Sequence, residues 1–262
     1  MHVERSSYDG VPRDVVLEAK SVRYGYGDLV AVWDVSITVH AATTLAVVGR
    51  NGAGKTTLLF GLAGILPSLG GAVVLGPRDV TKLPAWDRAS AGLCLVPEGK
   101  RVFRELTVEE NIALGVPHGV RRRERRRRVT EILERFHILG EKRADPAGTL
   151  SGGQQQLLSI ASALPMQPKI LLVDEPSSGL SPVATEQMLA TLDELKRNGL
   201  AIILVEQLVE EVVTGIADRV VVIEEGRVVM EDIPERISLA GLERVSHTGF
   251  EANSTSLMHT GH

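Results

Sequence analysis

The chain has 262 residues, of which 44% are apolar, and this fraction is ordinary for a packed core and excludes a disordered chain. The 29 Lys and Arg residues nearly balance the 33 Asp and Glu residues, so a net charge of -4 gives no indication of a nucleic-acid or membrane partner. One cysteine excludes an internal disulfide framework, and 26 glycines against four Phe, three Tyr and two Trp predict a backbone that passes close to another group.

The first part of the chain predicts short strands in quick succession. Residues 1–14 are polar, carry no apolar signal-peptide region and are predicted to form a flexible N-terminus. The segments that follow are rich in β-branched and apolar residues and are too close together for long helices between most of them. These predicted strands lie at residues 15–19, 35–39, 44–48, 71–75 and 92–96.

A glycine-rich segment follows the third strand and precedes a helical run, which is the order that the phosphate-binding pattern G-x-x-x-x-G-K-[ST] requires. Its glycines let successive N–H groups turn towards phosphate oxygens, Lys55 reaches the terminal phosphates and the Thr56 hydroxyl ligates Mg²⁺. The alternative is a glycine turn that only caps a helix. We therefore predict a nucleoside triphosphate site with Mg²⁺, formed by Gly49, Arg50, Asn51, Gly52, Ala53, Gly54, Lys55, Thr56 and Thr57.

Between residues 98 and 164 the strand pattern stops and amphipathic helices replace it. One apolar stripe has the i, i+3, i+4, i+7 spacing of a helix and consists of Val129, Ile132, Leu133 and Phe136. This segment is predicted to be a helical insert in an α/β domain.

The run RRRERRRR at residues 121–128 carries a local charge of +6. We interpret it as the solvated start of a helix. The run covers more than two helical turns, so its charges surround the helix axis and most of them must face water. Contact with anionic lipid or a membrane subunit, and binding to nucleic acid, are the alternatives. The run has no interleaved aromatic residues, which makes it weak evidence for base recognition.

A second helix N-terminus suits phosphate. The segment Ser151, Gly152, Gly153 and Gln154 precedes the helical run QQLLSIASAL, so a serine and two glycine amides lie where a helix begins. The sequence therefore predicts two phosphate sites in one chain.

An apolar strand at residues 170–173 ends in two acids, Asp174 and Glu175. A charge at a buried strand tip needs a cation, so Asp174 is predicted to hold Mg²⁺ and Glu175 to accept a proton from the attacking water. An acidic helix N-cap is the alternative. Two further apolar runs, at residues 201–205 and 219–223, are separated by helix-length segments and predict a buried parallel sheet.

The phosphate loop, the LSGGQ segment and the paired acids together resemble the ABC transporter ATPases, and the resemblance spans roughly residues 15–232. It implies an α/β fold, in which a P-loop NTPase core carries an antiparallel β subdomain and an inserted helical subdomain. The expected core comprises residues 15–97 and 165–232, and the helical subdomain with the signature comprises residues 98–164. A C-terminal helix and flexible tail are expected at residues 233–262.

The resemblance also assigns an aromatic residue to the nucleotide. Tyr24, in the segment VRYGYG, matches the position that stacks on adenine. A strand aromatic packed in the core is the alternative for Tyr24, and Tyr26 is a nearby candidate for the stacking role.

Several positions depart from the family pattern. Glu98 occupies the usual Gln position of the loop before the helical insert and would bring a negative charge near Mg²⁺. Gln207 occupies the usual switch His and can still donate to the γ-phosphate. Ser181 stands where Asp is usual, which puts a contact across the dimer in doubt, and Ser162 stands where Arg is usual. With Lys55 and the paired acids intact, an active ATPase is expected.

The motifs together look like the ATP-binding subunits of branched-chain amino-acid uptake systems. That resemblance implies a second ATPase subunit packed head to tail, identical or related, so that the signature of one subunit covers the ATP held by the other. It further implies two membrane permease subunits, an extracytoplasmic substrate-binding protein and a place on the cytoplasmic face of the membrane. No nucleic acid is expected as a partner.

Three other functions stay open. Urea or short amides are alternative cargoes. A soluble ABC ATPase acting on DNA or ribosomes typically carries a long coiled-coil insertion or a second cassette, and the 95 residues between Lys55 and Ser151 leave no room for either. A regulatory module that holds ATP without hydrolysing it is suggested by Glu98 and Gln207.

Two uncharged stretches, 56–77 and 146–167, fail as membrane spans because Pro, Gly and polar residues interrupt them.

Overall fold

The computed structural model describes residues 14–99, 101–206 and 215–236. Gln207, nearly all of the predicted flexible N-terminus and most of the predicted C-terminal helix and tail lie outside these residues. In the described parts the strands are β1 (Val15–Tyr26), β2 (Leu29–His40), β3 (Thr44–Val48), β4 (Gly70–Leu75), β5 (Arg78–Asp79), β6 (Leu93–Val96), β7 (Ile170–Asp174), β8 (Ala201–Glu206), β9 (Arg219–Glu224) and β10 (Arg227–Asp232). The helices are α1 (Lys55–Leu62), α2 (Ala85–Ala91), α3 (Val108–Leu114), α4 (Arg122–Arg135), α5 (His137–Glu141), α6 (Gly152–Ala163) and α7 (Pro182–Arg197).

The strands form two sheets. An antiparallel sheet has the order β2-β1-β4-β5, and a six-stranded sheet has the order β10-β9-β3-β8-β7-β6. Every pair in the second sheet is parallel except β10 with β9. Each predicted strand run is therefore confirmed, and the architecture is the predicted α/β fold. The short β5 and the terminal β10 were not predicted, because two residues give no periodicity and RVVMED mixes charged with apolar residues.

The six-stranded sheet separates two apolar cores. All five residues of β7 are buried, as expected for a parallel strand that is covered on both faces. Successive residues face opposite cores: Leu172 packs with the antiparallel sheet and α1, whereas Leu171 and Val173 pack with the helices that follow β6. This layering carries the carboxyl ends of the parallel strands to one edge, where α/β proteins bind ligands.

The segment after β6 is helical as predicted, and its described residues up to β7 hold helices and turns but no strand. The predicted apolar stripe is buried, with Val129 4% exposed and Phe136 5% exposed. A capping box begins α3, in which Thr107 accepts from the N–H of Glu110 and the Glu110 carboxylate accepts from the N–H of Thr107. The boundaries of a separate helical subdomain stay a prediction.

The arginine run begins α4 at Arg122, as predicted, but only part of it faces water. Arg125 donates to the carbonyl of Ala113 at 2.6 Å, and Arg128 donates to the carbonyl of Pro165 at 2.9 Å. Both bonds attach the start of α4 to neighbouring parts of the helical segment. The exposed members are Arg121, Arg122, Arg123, Arg126 and Arg127.

None of the helices in the described ranges combines the length and the apolar character that crossing a lipid bilayer requires.

Candidate functional site

The glycine-rich loop lies at the carboxyl end of β3, a strand held between β9 and β8 in the middle of the parallel sheet. The buried strand ends at Val48 and α1 begins at Lys55, so the loop turns the chain through residues 49–54. Strand, loop and helix therefore have the order that the sequence predicts.

Two glycines let the loop lie against neighbouring backbone. Gly54 has φ +101°, and a Cβ there would lie 2.7 Å from the carbonyl oxygen of Ala31. A Cβ on Gly49 would lie 2.2 Å from the carbonyl oxygen of Ile223. Both positions exclude a side chain, so the loop is packed down onto β2 and β9.

The N-terminus of α1 is open to an anion. Its N-cap, Gly54, has no side chain to accept from the first N–H groups, and the first turn contains no acid. The positive end of the helix dipole and the uncapped donors therefore meet no competing acceptor on α1 itself.

Lys55 is 4% exposed and lies over the loop. Its Nζ donates to the carbonyl of Gly49 at 2.7 Å and to that of Arg50 at 3.1 Å, and it lies 3.7 Å from Oε1 of Glu175. One buried ammonium thus joins the loop after β3 to the acids after β7, which the sequence predicted to act on the same ligand.

Asp174 is the buried acid at the end of β7. It has no exposed surface, and neither of its carboxylate oxygens has a hydrogen-bond partner among the described residues. Burial raises the pKa of Asp174 to about 6; the Thr56 hydroxyl and Lys55 oppose this, and the negative charges of Glu175 and Glu98 add to it. Thr56 and Glu98, the other two predicted metal ligands, are therefore close enough to Asp174 to affect its pKa.

These groups fit a magnesium nucleotide. A fully buried carboxylate without partners is costly unless a cation neutralises it, and Asp174 is such a group. The described residues contain no group of three His, Cys, Asp or Glu side chains that could cage a metal ion. Mg²⁺ typically needs no such cage, because it keeps several waters and binds through one or two carboxylates together with substrate phosphates.

Glu175 has an uncommon backbone, with φ +42°. Its N–H donates to the carbonyl of Val205 at 2.9 Å, which extends the β7–β8 pairing by one residue. Two residues later, the N–H and the hydroxyl of Ser177 donate to the two oxygens of Glu206, each at 2.8 Å. The sequence analysis gave Glu206 no role, although an acid at the tip of the apolar strand AIILVE repeats the signal that marked Asp174.

The signature segment lies elsewhere on the chain. Ser151 caps α6 in a capping box, accepting from the N–H of Gln154 at 3.3 Å while the Gln154 side chain accepts from the N–H of Ser151 at 3.0 Å. Helix α6 packs on α3, α7 and β6, whereas α1 packs on β1, β2 and β7. The two predicted phosphate sites are thus at the starts of different helices. One lies before α1, and the other is formed by Ser151, Gly152, Gly153 and Gln154 at the start of α6.

The structure corrects the assignment of Tyr24. Its side chain has no exposed surface and packs so closely on α1 that a Cβ on Gly61 would lie 2.3 Å from the ring. Burial raises the pKa of the Tyr24 hydroxyl, an effect that the neighbouring Arg88 partly offsets. The stacking assignment is wrong because this ring is in the core, which was the alternative reading. Tyr26, at the end of β1, is 50% exposed.

Three departures from the family pattern have visible surroundings. Ser181 caps α7 by accepting from the N–H of Ala184 at 3.3 Å, a capping function that serine and aspartate share. Glu98 is exposed, and its Oε1 lies 3.5 Å from the Ser178 hydroxyl. The Ser162 hydroxyl is buried without a hydrogen-bond partner among the described residues, and nothing in the structure explains it.

Known proteins are similar to this chain in sequence or in fold. The ABC transporter family pattern matches residues 32–178. The branched-chain amino acid transport ATP-binding protein BraG of Pseudomonas aeruginosa is 40% identical over 207 residues, 79% of this chain and 88% of BraG. The lipopolysaccharide export ATP-binding protein LptB of Escherichia coli is 31% identical over 224 residues, 84% of this chain and 92% of LptB.

Solved structures agree with this relationship. A nucleotide-free ATP-binding cassette from an ABC transporter has a TM-score of 0.77 at 25% identity and covers 88% of this chain and 95% of its own. The cbiO1 protein of Clostridium perfringens, part of the ABC transporter complex cbiONQ, has a TM-score of 0.78 at 26% identity and covers 90% of this chain and 96% of its own. With a phosphate loop, paired acids and a signature helix in this fold, the chain belongs to the ABC transporter family, as one of its ATP-hydrolysing subunits.

Proposed function

We propose that this subunit powers the uptake of branched-chain or other hydrophobic amino acids. The observation that carries the proposal is the 40% identity to BraG over 79% of the chain. LptB, which serves lipopolysaccharide export, is less similar at 31% identity, and this likeness makes an export cargo the second candidate. Urea or short amides remain a third cargo, without a separate observation in their favour.

In this proposal the loop at residues 49–57 holds the phosphates of ATP. The uncapped N-terminus of α1 supplies donors and a positive dipole, and the Lys55 ammonium, 4% exposed, supplies a fixed charge at the terminal phosphates. Thr56, Asp174 and Glu98 are the residues that would hold Mg²⁺. When bound, that ion neutralises negative charge on the phosphate oxygens.

Glu175 is the proposed general base. It lies beside Lys55, 3.7 Å from Nζ, and directly after Asp174, so it is close to the predicted position of the terminal phosphate. Gln207, outside the described residues, is the proposed donor to the γ-phosphate. Since its amide does not titrate, this contact is expected to be insensitive to pH near neutrality.

Completion of the site requires a second ATPase subunit. The signature residues Ser151, Gly152, Gly153 and Gln154 begin α6, which packs on α3, α7 and β6, and in the proposed dimer they cover the ATP held by the partner. Tyr26, 50% exposed, replaces Tyr24 as the proposed adenine contact. Members of this family work with membrane permeases; the proposed location is the cytoplasmic face of the membrane, with an extracytoplasmic substrate-binding protein as the further partner.

The catalytic proposal is tested with Glu175→Gln. This variant should bind ATP with Mg²⁺ as tightly as the native chain and should lose phosphate release by about 10²-fold or more, because a positioned base is removed. Glu194→Gln, an exposed glutamate on α7, is the matched control and should hydrolyse ATP at the native rate. Unchanged phosphate release by Glu175→Gln would remove Glu175 from this role.

The cargo proposal is tested on the transporter purified from membranes through this subunit and reconstituted in liposomes with its co-purified permeases and binding protein. Leucine should stimulate ATP hydrolysis and be transported, whereas urea and lipopolysaccharide should do neither. Stimulation by urea or lipopolysaccharide alone would overturn the amino-acid proposal and leave the ATPase assignment in place.

A further inference from the structure

Glu206 lies at the point where the two halves of the nucleotide site meet. It is the last residue of β8, the strand between β3, which leads into the phosphate loop, and β7, which leads into the acids. In the sheet register Glu206 pairs with Val48, and its neighbour Val205 pairs with Asp174. The side chain is 1% exposed.

The Glu206 carboxylate binds one residue at two points. Its two oxygens accept from the N–H and from the hydroxyl of Ser177, each at 2.8 Å. Ser177 is itself buried, at 7% exposed. Two short hydrogen bonds between buried groups are strong in the low dielectric of a protein interior, so this pair is a firm attachment between β8 and the turn after β7.

The turn between these attachments carries Glu175 in a left-handed backbone conformation, φ +42°, which side chains other than Gly, Asn and Asp rarely adopt. The Glu175 N–H is held by the carbonyl of Val205 at 2.9 Å, and Ser177 is held by Glu206. Because the unfavourable conformation is fixed from both sides, it persists only while both attachments persist.

We propose that Glu206 is a positioning residue for the catalytic glutamate: by binding Ser177 at two points it fixes the backbone of Glu175, and with it the direction of the Glu175 carboxylate. This inference rests on the proposed role of Glu175 as the base. Glu206 does not touch the reacting atoms.

The two contacts define which side chains can replace Glu206. Glutamine has the same length, and its carbonyl can accept from the Ser177 N–H while its amide donates to the Ser177 oxygen after the hydroxyl rotates. Alanine loses both contacts, and aspartate is one methylene too short to keep them. A positioning role therefore predicts rescue by glutamine, whereas a role for the negative charge predicts none.

The activity test compares Glu206→Ala, Glu206→Asp and Glu206→Gln in the full-length chain. Alanine and aspartate should lower kcat by about 10- to 100-fold, because a displacement on the order of 1 Å at the reacting groups has effects of that size, with ATP affinity changed by less than about 3-fold. Glutamine should keep kcat within about 3-fold of the native value. Native kcat in Glu206→Ala, or an equal loss in Glu206→Gln, would overturn the proposal.

The path through Ser177 is tested by a double-mutant cycle. Ser177→Ala removes the hydroxyl contact and leaves the N–H contact, so it should lower kcat less than Glu206→Ala does. The double variant should be no slower than Glu206→Ala alone, since both changes break one attachment. Additive losses would show that Glu206 acts through another route. Glu194→Ala on the exposed face of α7 is the control for substitution of a glutamate.

A readout without nucleotide separates this inference from the proposed function. Hydrogen exchange at the amides of Glu175 and Ser177 should become at least about tenfold faster in Glu206→Ala and stay near native in Glu206→Gln. If the native chain hydrolyses no ATP, the role of Glu175 fails, and the exchange result still decides whether Glu206 holds the turn. Unchanged exchange in Glu206→Ala would overturn the inference even if activity fell.

Discussion

The two glycine-rich helix starts of this chain are built in opposite ways. Helix α1 begins at a glycine without a side-chain cap, whereas α6 begins with a capping box in which Ser151 and Gln154 satisfy each other's backbone donors. Beside α1 lies Asp174, whose buried oxygens lack hydrogen-bond partners among the described residues. Ser151, in contrast, is exposed to solvent.

The two glycine-rich helix starts differ in whether their own residues satisfy the free N–H groups. The α1 site keeps polar groups unmet inside the protein, so a phosphate and a cation gain contacts that the protein itself leaves open. The α6 site meets its own groups and presents a stable helix end on the surface. An unmet site lowers the stability of the fold, so the rest of α1 must be held by other contacts.

Arg88 provides one such contact, and among the changes considered below its loss is expected to have the largest effect on stability. The guanidinium, 1% exposed, donates to the carbonyls of Gly61 and Leu62 at the end of α1 at 2.9 and 2.7 Å, and to those of Thr81 and Leu83 at 2.7 and 2.9 Å. Arg88→Ala removes all of these hydrogen bonds to backbone carbonyls and should lower the free energy of unfolding by about 3–5 kcal/mol. Urea denaturation measures it.

The control for Arg88 is Arg126→Ala on the exposed side of α4, which should change the free energy of unfolding by less than about 0.5 kcal/mol. Arg88→Lys separates charge from geometry, because lysine keeps the cation but lacks the fork that reaches four carbonyls. A lysine variant as stable as the native chain would show that the charge alone holds the end of α1.

The next largest effect separates the two glycine-rich loops directly. Gly54→Ala forces a Cβ to within 2.7 Å of the Ala31 carbonyl at φ +101°, so it should lower the free energy of unfolding by about 2–4 kcal/mol and abolish ATP binding. Gly153→Ala is the matched change in α6, where a Cβ meets only the Cβ of Ala184, at 3.0 Å.

Alanine favours a helix over glycine by up to about 1 kcal/mol, which offsets that contact, so Gly153→Ala should stay within about 1 kcal/mol of native stability. Urea denaturation and titration with a fluorescent ATP analogue measure both variants. Equal destabilisation by the two changes would show that the loop before α1 is no more tightly packed than the start of α6.

The sequence was sufficient to predict eight of the ten described strands, because uninterrupted apolar runs such as ILLVD have few other uses, but it did not predict the short β5 or the mixed β10. It also predicted that Lys55 and Glu175 act on one ligand, since the carboxyl ends of parallel strands share an edge. It misassigned Tyr24, because a motif match gives a position along a strand and not the face that the residue occupies. In β1 that face is set by the bulges around residue 22, which sequence periodicity does not reveal.

Arg88 and Glu206 show a second limit. Each has backbone partners that are distant in sequence: Arg88 binds carbonyls up to 27 residues away, and Glu206 binds the N–H of Ser177, as well as its hydroxyl, across 29 residues. Backbone partners leave no mark in side-chain patterns, so the helix sequence AWDRASA around Arg88 looks like that of any exposed helix. An acid ending an apolar strand was the only available signal for Glu206.

Asp174→Asn is expected to stabilise the chain, because it replaces a buried carboxylate that has no hydrogen-bond partner among the described residues. Burial raises the pKa of Asp174 to about 6 from 3.8, so the folded chain binds this proton more tightly than the unfolded chain does. The free energy of unfolding therefore falls by up to about 3 kcal/mol as pH rises from about 4 to about 6. Asp174→Asn removes that loss.

The expected result is a higher melting temperature for Asp174→Asn at pH 7.5 with EDTA and without nucleotide, and no difference at pH 4. Asp193→Asn on α7, an acid paired with Lys196 and Arg197, is the control and should not stabilise the chain. If the melting temperature of Asp174→Asn equals that of the native chain at both pH values, the buried carboxylate already has a compensating partner.

The smallest effect is expected at the cap of α6. Ser151→Ala removes a side-chain acceptor from an exposed helix end and should lower the free energy of unfolding by about 1 kcal/mol, whereas Ser151→Asn keeps an acceptor and should preserve stability. ATP hydrolysis by the same variants, measured at saturating ATP, then separates two roles of the segment. If Ser151 acts only as a cap, Ser151→Asn should retain native hydrolysis; if its hydroxyl also contacts the partner's ATP, both variants should lose hydrolysis while only Ser151→Ala loses stability.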